Sequence, residues 1–145
     1  FNNANFLIIK SKQSQIADIK IIDSLAKQIG FGRITVLDAR EHDQLIAHTS
    51  QLTHLLAVGL MLSDNSAHTK DATGDSFRDL TRIAKINENM WTELFIDNKE
   101  ALIEETDRFI KVLEEMKMLI KNKDAHNLKR LLKVSKEKRV SFDES

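Results

Sequence analysis

The spacing of apolar residues divides the chain into a short alternating part and a long helical part. Phe6-Leu7-Ile8-Ile9-Lys10 is an almost unbroken apolar run, the pattern of a strand buried on both faces. A polar stretch, Ser11 to Ser14, follows it. Ile16, Ile19, Ile22, Leu25, Ala26 and Ile29 then recur mostly at three- and four-residue steps, which predicts an amphipathic helix. Gly30 stands where such a helix ends. Ile34-Thr35-Val36-Leu37, rich in β-branched residues, predicts a second strand. Strand, helix, strand is a βαβ unit with parallel strands. Two strands do not make a stable sheet alone, so this segment reads as the last piece of a larger α/β domain.

From Asp38 onward the pattern is helical. Asp38 and Glu41 have capping-box spacing, and one unbroken helix is expected from there to about Leu62. Its second half, Leu55 to Leu62, is apolar all round, which predicts the central buried helix of a bundle. Ser63 to Gly74 is polar and reads as a loop, and Asp75 to Ile86 as a shorter helix. Asn87 caps a helix around Trp91, and a long helix runs on to about Lys121. Asp124 caps a last helix that is expected to fray into the charged tail Lys136 to Arg139. In the long helix, Leu102, Thr106, Phe109, Leu113, Met116 and Ile120 are spaced 4, 3, 4, 3, 4. This is the rhythm of a packed helical seam, either within one bundle or between two subunits.

Composition narrows the function classes. The chain has 145 residues with 22 basic and 22 acidic side chains, and this balance argues against a nucleic-acid partner. It has no cysteine, which excludes disulfides and thiolate chemistry and accords with a cytoplasmic protein. The Leu55–Leu62 stretch is too short to span a bilayer, so no membrane role is expected. Proline is absent and there are only four glycines, as in a protein of long helices. The opening at Phe1, without methionine, reads as that of an excised or trimmed piece.

Few residues carry chemistry. His42, His48 and His54 are six apart, so at about 100° per residue they point in different directions and do not converge on one metal ion. Ser50 and His54, four apart, share a helix face. They are either a satisfied histidine near the core or two hydrogen-bonding groups for one ligand. Arg78 and Arg82 also share a face, with Asp75 and Asp79 spaced to pair with them. That segment is either an ordinary solvated helix or an arginine presented to a carboxylate ligand, which a guanidinium fork suits. Trp91, the only tryptophan, is a core residue or a ligand contact.

Three runs, taken together, give the chain a resemblance. They are His42-Asp43 with Ser50-Gln51-Leu52-Thr53-His54-Leu55-Leu56-Ala57, then Phe77-Arg78-Asp79-Leu80-Thr81-Arg82-Ile83-Ala84, then Met90-Trp91 through Asn98-Lys99-Glu100-Ala101-Leu102. In this order and spacing they resemble the C-terminal half of prephenate dehydrogenases. The resemblance implies a mainly α fold: a helical-bundle dimerisation domain (residues 39–145) preceded by a short βαβ remnant of a Rossmann domain (residues 1–38). It implies a parent enzyme that oxidises prephenate with NAD, releasing CO2 and giving 4-hydroxyphenylpyruvate on the route to tyrosine. An arogenate-using or dual-specificity cyclohexadienyl dehydrogenase and a purely helical assembly scaffold are the alternative readings.

The resemblance also implies site residues. Arg82 stands where the family binds a prephenate carboxylate, His54 and Ser50 match polar positions of the same pocket, Trp91 lies near it, and Arg78 and Asp79 lie close by. The implied partners are prephenate and a second copy of the chain. The family commonly has Ser-His-Leu-Pro-His where this chain has Ser50-Gln51-Leu52-Thr53-His54, which leaves one histidine of two and implies a straighter helix. The family's catalytic histidine lies upstream of these residues. No Gly-x-Gly-x-x-Gly occurs, so neither a catalytic residue nor the NAD site is expected here.

Overall fold

The structure, a computed structural model, describes Phe1 and residues 4–143. It forms two compact units, Phe1–Glu105 and Thr106–Ser145. The division falls inside a helix, whereas the change from strands to helices comes at Asp38.

The first unit opens with β1 (Asn5–Lys10), α1 (Ile16–Gln28) and β2 (Arg33–Asp38). The strands pair in parallel, Asn5 opposite Arg33 and Lys10 opposite Asp38. Helix α1 ends in a Schellman turn: Gly30 N–H donates to the Lys27 carbonyl and Phe31 N–H to the Ala26 carbonyl, each at 3.1 Å. Gly30 takes a φ of +95°, a conformation that favours glycine, as its place after the helix led us to expect. Phe31 stacks on Phe1 and tilts against Phe6, with centroids 4.6 and 4.7 Å apart. Burial of β1 on both faces does not hold within this chain. Ile8 is buried but Ile9 is exposed, because among the described residues the sheet has only two strands and no further cover on that side.

Asp38 then starts α2 (Ala39–Ile46) with the full capping box. Glu41 N–H donates to the Asp38 carboxylate at 2.9 Å, and Asp38 N–H donates to the Glu41 carboxylate at 2.8 Å. The unbroken α-helix expected from here to Leu62 is interrupted. Residues Ala47–Gln51 form a π-turn before α3 (Leu52–Leu62) resumes. Side chains make the wide turn tolerable. Thr49 Oγ1 donates to the Leu45 carbonyl at 2.7 Å, and the Ser50 carbonyl accepts from Thr53 Oγ1 at 2.6 Å and from His54 Nδ1 at 2.9 Å. Hydroxyls that bond back onto the preceding turn draw carbonyls away from the regular ladder. Threonine in place of proline therefore does not give a plain α-helix at this point.

Helix α3 is not the fully buried centre that its composition predicts. Leu52 and Ala57 are buried, while Met61 and Leu62 are exposed, Leu62 to 80%. One chain supplies too few neighbours for a helix that is apolar all round. The continuous segment Ala39–Leu62, 24 residues with mean hydropathy 1.4 over its most apolar window, is long and apolar enough to cross a membrane by length and composition. Measuring only Leu55–Leu62 missed this, because the helical path carries on through the π-turn.

The expected loop after Leu62 contains a one-turn helix, α4 (Thr69–Ala72). Asp64 organises it, accepting from Ser66 N–H at 3.1 Å and Thr69 Oγ1 at 2.6 Å. The helix expected over 75–86 is shorter, α5 (Asp75–Thr81), and tightens into a 3₁₀ turn at Arg82–Ala84. Thr81 Oγ1 donates back to the Phe77 carbonyl at 2.7 Å, a bond that bends helices. Both α5 and the 3₁₀ turn pack on α3. Asn87 caps α6 (Glu88–Asp97) as expected, accepting from Met90 N–H at 3.0 Å. Asn98 separates α6 from the long helix α7 (Lys99–Lys121).

The second unit holds the rest of α7 and α8 (Ala125–Asp143). The turn between them is another Schellman motif: Lys123 N–H donates to the Ile120 carbonyl and Asp124 N–H to that of Leu119. Lys123, at φ 54°, occupies the left-handed position. Asp124 caps α8 as expected, accepting from Asn127 N–H at 3.1 Å and from its amide at 2.7 Å. The expected fraying at Lys136 to Arg139 is absent: α8 continues to Asp143, with the i,i+4 pairs Lys133–Glu137 and Arg139–Asp143 along it. Along the seam, Leu102 is buried, while Leu113 and Ile120 are 48% and 60% exposed.

Candidate functional site

The π-turn and α6 place the chemistry. Ser50 lies within the π-turn and His54 on the first turn of α3. A carbonyl can only accept, so the bond from His54 to the Ser50 carbonyl puts the imidazole proton on Nδ1. Nε2, the other ring nitrogen, has no partner among the described residues. The ring lies on Trp91 of α6, centroids 3.8 Å apart and planes 28° from parallel, and Trp91 in turn leans on Phe95 at 5.4 Å. His54, Ser50 and Trp91 are all half-buried. The Ser50 hydroxyl has no partner among the described residues. What joins Ser50 and His54 is the main-chain carbonyl of Ser50, a detail that spacing does not reveal.

The two arginines part ways. Arg78 donates to the Thr73 carbonyl at 2.9 Å and to the Asp75 carboxylate, so its fork fastens the loop to the start of α5. Asp79 is exposed and has no ion-pair partner among the described residues, where the expected pairs reduce to Asp75–Arg78. Arg82 is exposed, and no side-chain partner engages its guanidinium among the described residues. It opens the 3₁₀ turn that packs on α3, the helix that carries His54. Of the two cations, Arg82 is the one with a free fork.

The three histidines of the first long helix have separate partners. His42 Nδ1 lies 3.0 Å from the Asp43 carboxylate, His48 Nδ1 lies 3.0 Å from that of Glu105, and His54 is bound as above. Glu105 is buried, so its contact with His48 ties the π-turn to the start of α7.

Sequence reasoning missed Gln51 and Asn98. Gln51, only 4% exposed, donates through Nε2 to the Leu94 carbonyl at 2.8 Å. Asn98 Nδ2 donates to Gln51 Oε1 at 2.8 Å and to the Asp43 carbonyl at 2.9 Å. The available signal was a polar residue at the position directly before the apolar Leu52 on a helix that is otherwise apolar inside.

The fold is thus a helical unit preceded by a parallel βαβ piece, with a histidine, a hydroxyl, a tryptophan and an arginine on its helices. Residues 38–134 match the family described as "Prephenate dehydrogenase, dimerization domain", and the chain belongs to it. It is 29% identical over 148 residues to a prephenate dehydrogenase of Lactococcus lactis subsp. cremoris, covering 99% of this chain and 40% of that protein. It is 31% identical over 122 residues to a cyclohexadienyl dehydrogenase of Zymomonas mobilis, covering 80% of this chain and 41% of that protein. Among solved structures, Synechocystis arogenate dehydrogenase superposes with a TM-score of 0.88 at 21% identity, covering 98% of this chain and 53% of that one. Prephenate dehydrogenase from A. aeolicus, in complex with hydroxyphenyl propionate and NAD+, gives 0.82 at 26% identity, covering 94% and 49%. The chain thus spans about two fifths of the curated relatives it matches and about half of these structures.

Among the described residues, the turn at Gly30 does not suit the pyrophosphate of NAD. The chain's four glycines form no glycine-rich turn, and Gly30 closes a helix where a dinucleotide site needs one to open. The N–H groups at that turn are used by the carbonyls of Lys27 and Ala26.

Proposed function

We propose that this chain is the C-terminal, dimer-forming and substrate-contacting part of a prephenate dehydrogenase, an enzyme that oxidatively decarboxylates prephenate to 4-hydroxyphenylpyruvate with NAD. Residues 1–38 complete the nucleotide-binding domain of the whole protein, and residues 39–145 form the dimerisation and prephenate-contact domain. The observation that carries this reading is the free guanidinium of Arg82, on a turn packed against the helix that presents His54. Prephenate has two carboxylates, and a planar fork with both prongs unused is suited to one of them. His54 Nε2 and the Ser50 hydroxyl add hydrogen-bonding groups for the rest of the molecule, and Trp91 backs the His54 ring. Arg78 and Asp79 serve the site by shaping the segment that leads to Arg82. The proton-accepting histidine and the cofactor site belong to the upstream part.

A cyclohexadienyl dehydrogenase that also accepts arogenate is the second reading, favoured by the likeness to the Zymomonas protein. Steady-state kinetics on the chain joined to its NAD-binding half test both. With Arg82→Ala the Michaelis constant for prephenate rises about tenfold or more, the size expected for losing one side of a guanidinium–carboxylate pair. NAD affinity stays nearly unchanged. An unchanged Michaelis constant removes Arg82 from the site, and turnover of arogenate at a comparable kcat/KM selects the second reading.

A further inference from the structure

From the hydrogen bonds of Gln51 and Asn98 we infer that these two residues are a positioning pair, which sets how the His54 ring meets Trp91. The inference rests on the reading of His54 and Trp91 as substrate contacts, but its geometry stands without it. Gln51 is three residues before His54, and Leu94 is three residues after Trp91. The bond from Gln51 Nε2 to the Leu94 carbonyl and the His54–Trp91 stack are therefore neighbouring rungs, one helical turn apart, between antiparallel segments. Asn98, at the junction of α6 and α7, bonds the Asp43 carbonyl before the π-turn and Gln51 at its last residue. Both hydrogens of one amide thus span the turn that aims Ser50 and His54.

A π-turn has a wider, weaker ladder than an α-helix, so its pitch and phase need external support. The pair supplies it from the element that carries Trp91. A buried amide with both ends bonded admits one geometry, because any rotation leaves a polar group unsatisfied. The position commonly held by histidine in the family is here a glutamine whose amide bonds α6.

The test is the NMR spectrum of this chain, in which a stacked indole shifts the carbon-bound ring protons of His54 upfield. Gln51→Met keeps length and burial while removing both hydrogen bonds. Asn98→Ala removes the staple from the other side and serves if the first variant fails to fold. In either folded variant the upfield shift is expected to fall by about half or more, with helical circular dichroism retained. Prephenate affinity is expected to drop about tenfold, as misplacement of a positioned group does. An unchanged His54 shift in a folded variant overturns the inference. A lost shift with unchanged prephenate affinity upholds the positioning pair and contradicts instead the assignment of His54 to the substrate site.

Discussion

His54 donates its Nδ1 proton to the carbonyl of Ser50 at 2.9 Å, and the ring so fixed lies on Trp91. One bond thereby determines the tautomer, the ring plane and the atom left for a ligand. A side chain free to rotate would lose entropy on binding, whereas this one is already ordered. The arrangement depends on the π-turn, because the carbonyl that accepts from His54 belongs to it.

Lys123 holds the left-handed position between α7 and α8 at φ 54°, where a Cβ costs about 1–2 kcal/mol. Replacing it by glycine keeps both Schellman hydrogen bonds and removes that cost, offset in part by the greater freedom of glycine in the unfolded chain. Lys123→Gly is expected to stabilise the fold by about 0.5–1 kcal/mol in urea unfolding. No gain, or a loss, means that the lysine side chain contributes more there than its conformation costs.

Asp124 titrates below the ordinary carboxylate value, first because the Asn127 side-chain amide donates to it and then because the Asn127 N–H does, with His126 and Arg130 adding smaller attraction against a small opposing effect of burial. A carboxylate whose pKa is lower folded than unfolded stabilises the fold above its unfolded value, and that contribution is lost as pH falls through the folded one. Asp124→Ala should therefore lower the stability of the protein at neutral pH. The gap from wild type should close on acidification below the carboxylate range. A gap that stays constant into strong acid contradicts the assignment of the cap to the ionised form.

Leu113 and Ile120 on α7, with Leu132 and Val140 on α8, leave apolar side chains exposed in one chain, and surfaces of this kind mark interfaces. The chain is expected to be a homodimer by light scattering at tens of micromolar, a range set by ordinary interface affinities. Phe109→Glu combined with Leu113→Glu should yield monomers that keep their helical circular dichroism. A wild-type monomer contradicts the proposal, and a double variant that remains dimeric moves the interface away from this seam.

The elements set by local chemistry were legible in the sequence. Gly30, the Asp38–Glu41 box, Asn87 and Asp124 all sit where their residue types require, because a cap depends on a few neighbouring atoms. The π-turn was hidden because Ala47–Gln51 holds no glycine or proline to mark a break, and the back-bonding of Thr49, Thr53 and His54 leaves no periodic signal. Burial of Leu55–Leu62 was overestimated for a different reason. Composition records how much apolar surface must be covered, and says nothing of whether the cover comes from the same chain. At the site, Arg78 and Arg82 look equivalent by spacing. The loop carbonyl of Thr73, which engages one and leaves the other free, is a contact that no helical periodicity encodes.

The claim that this domain contacts prephenate rests on Arg82, and titration calorimetry of the purified chain with prephenate tests it most directly. The chain supplies only part of the pocket, so weak but saturable binding is expected, reduced about tenfold or more by Arg82→Ala. Arg82→Lys should restore little of it, because an ammonium lacks the fork. NAD at millimolar concentration should give no saturable heat. Prephenate binding that Arg82→Ala leaves intact, or no binding by a folded wild-type dimer, would contradict the account.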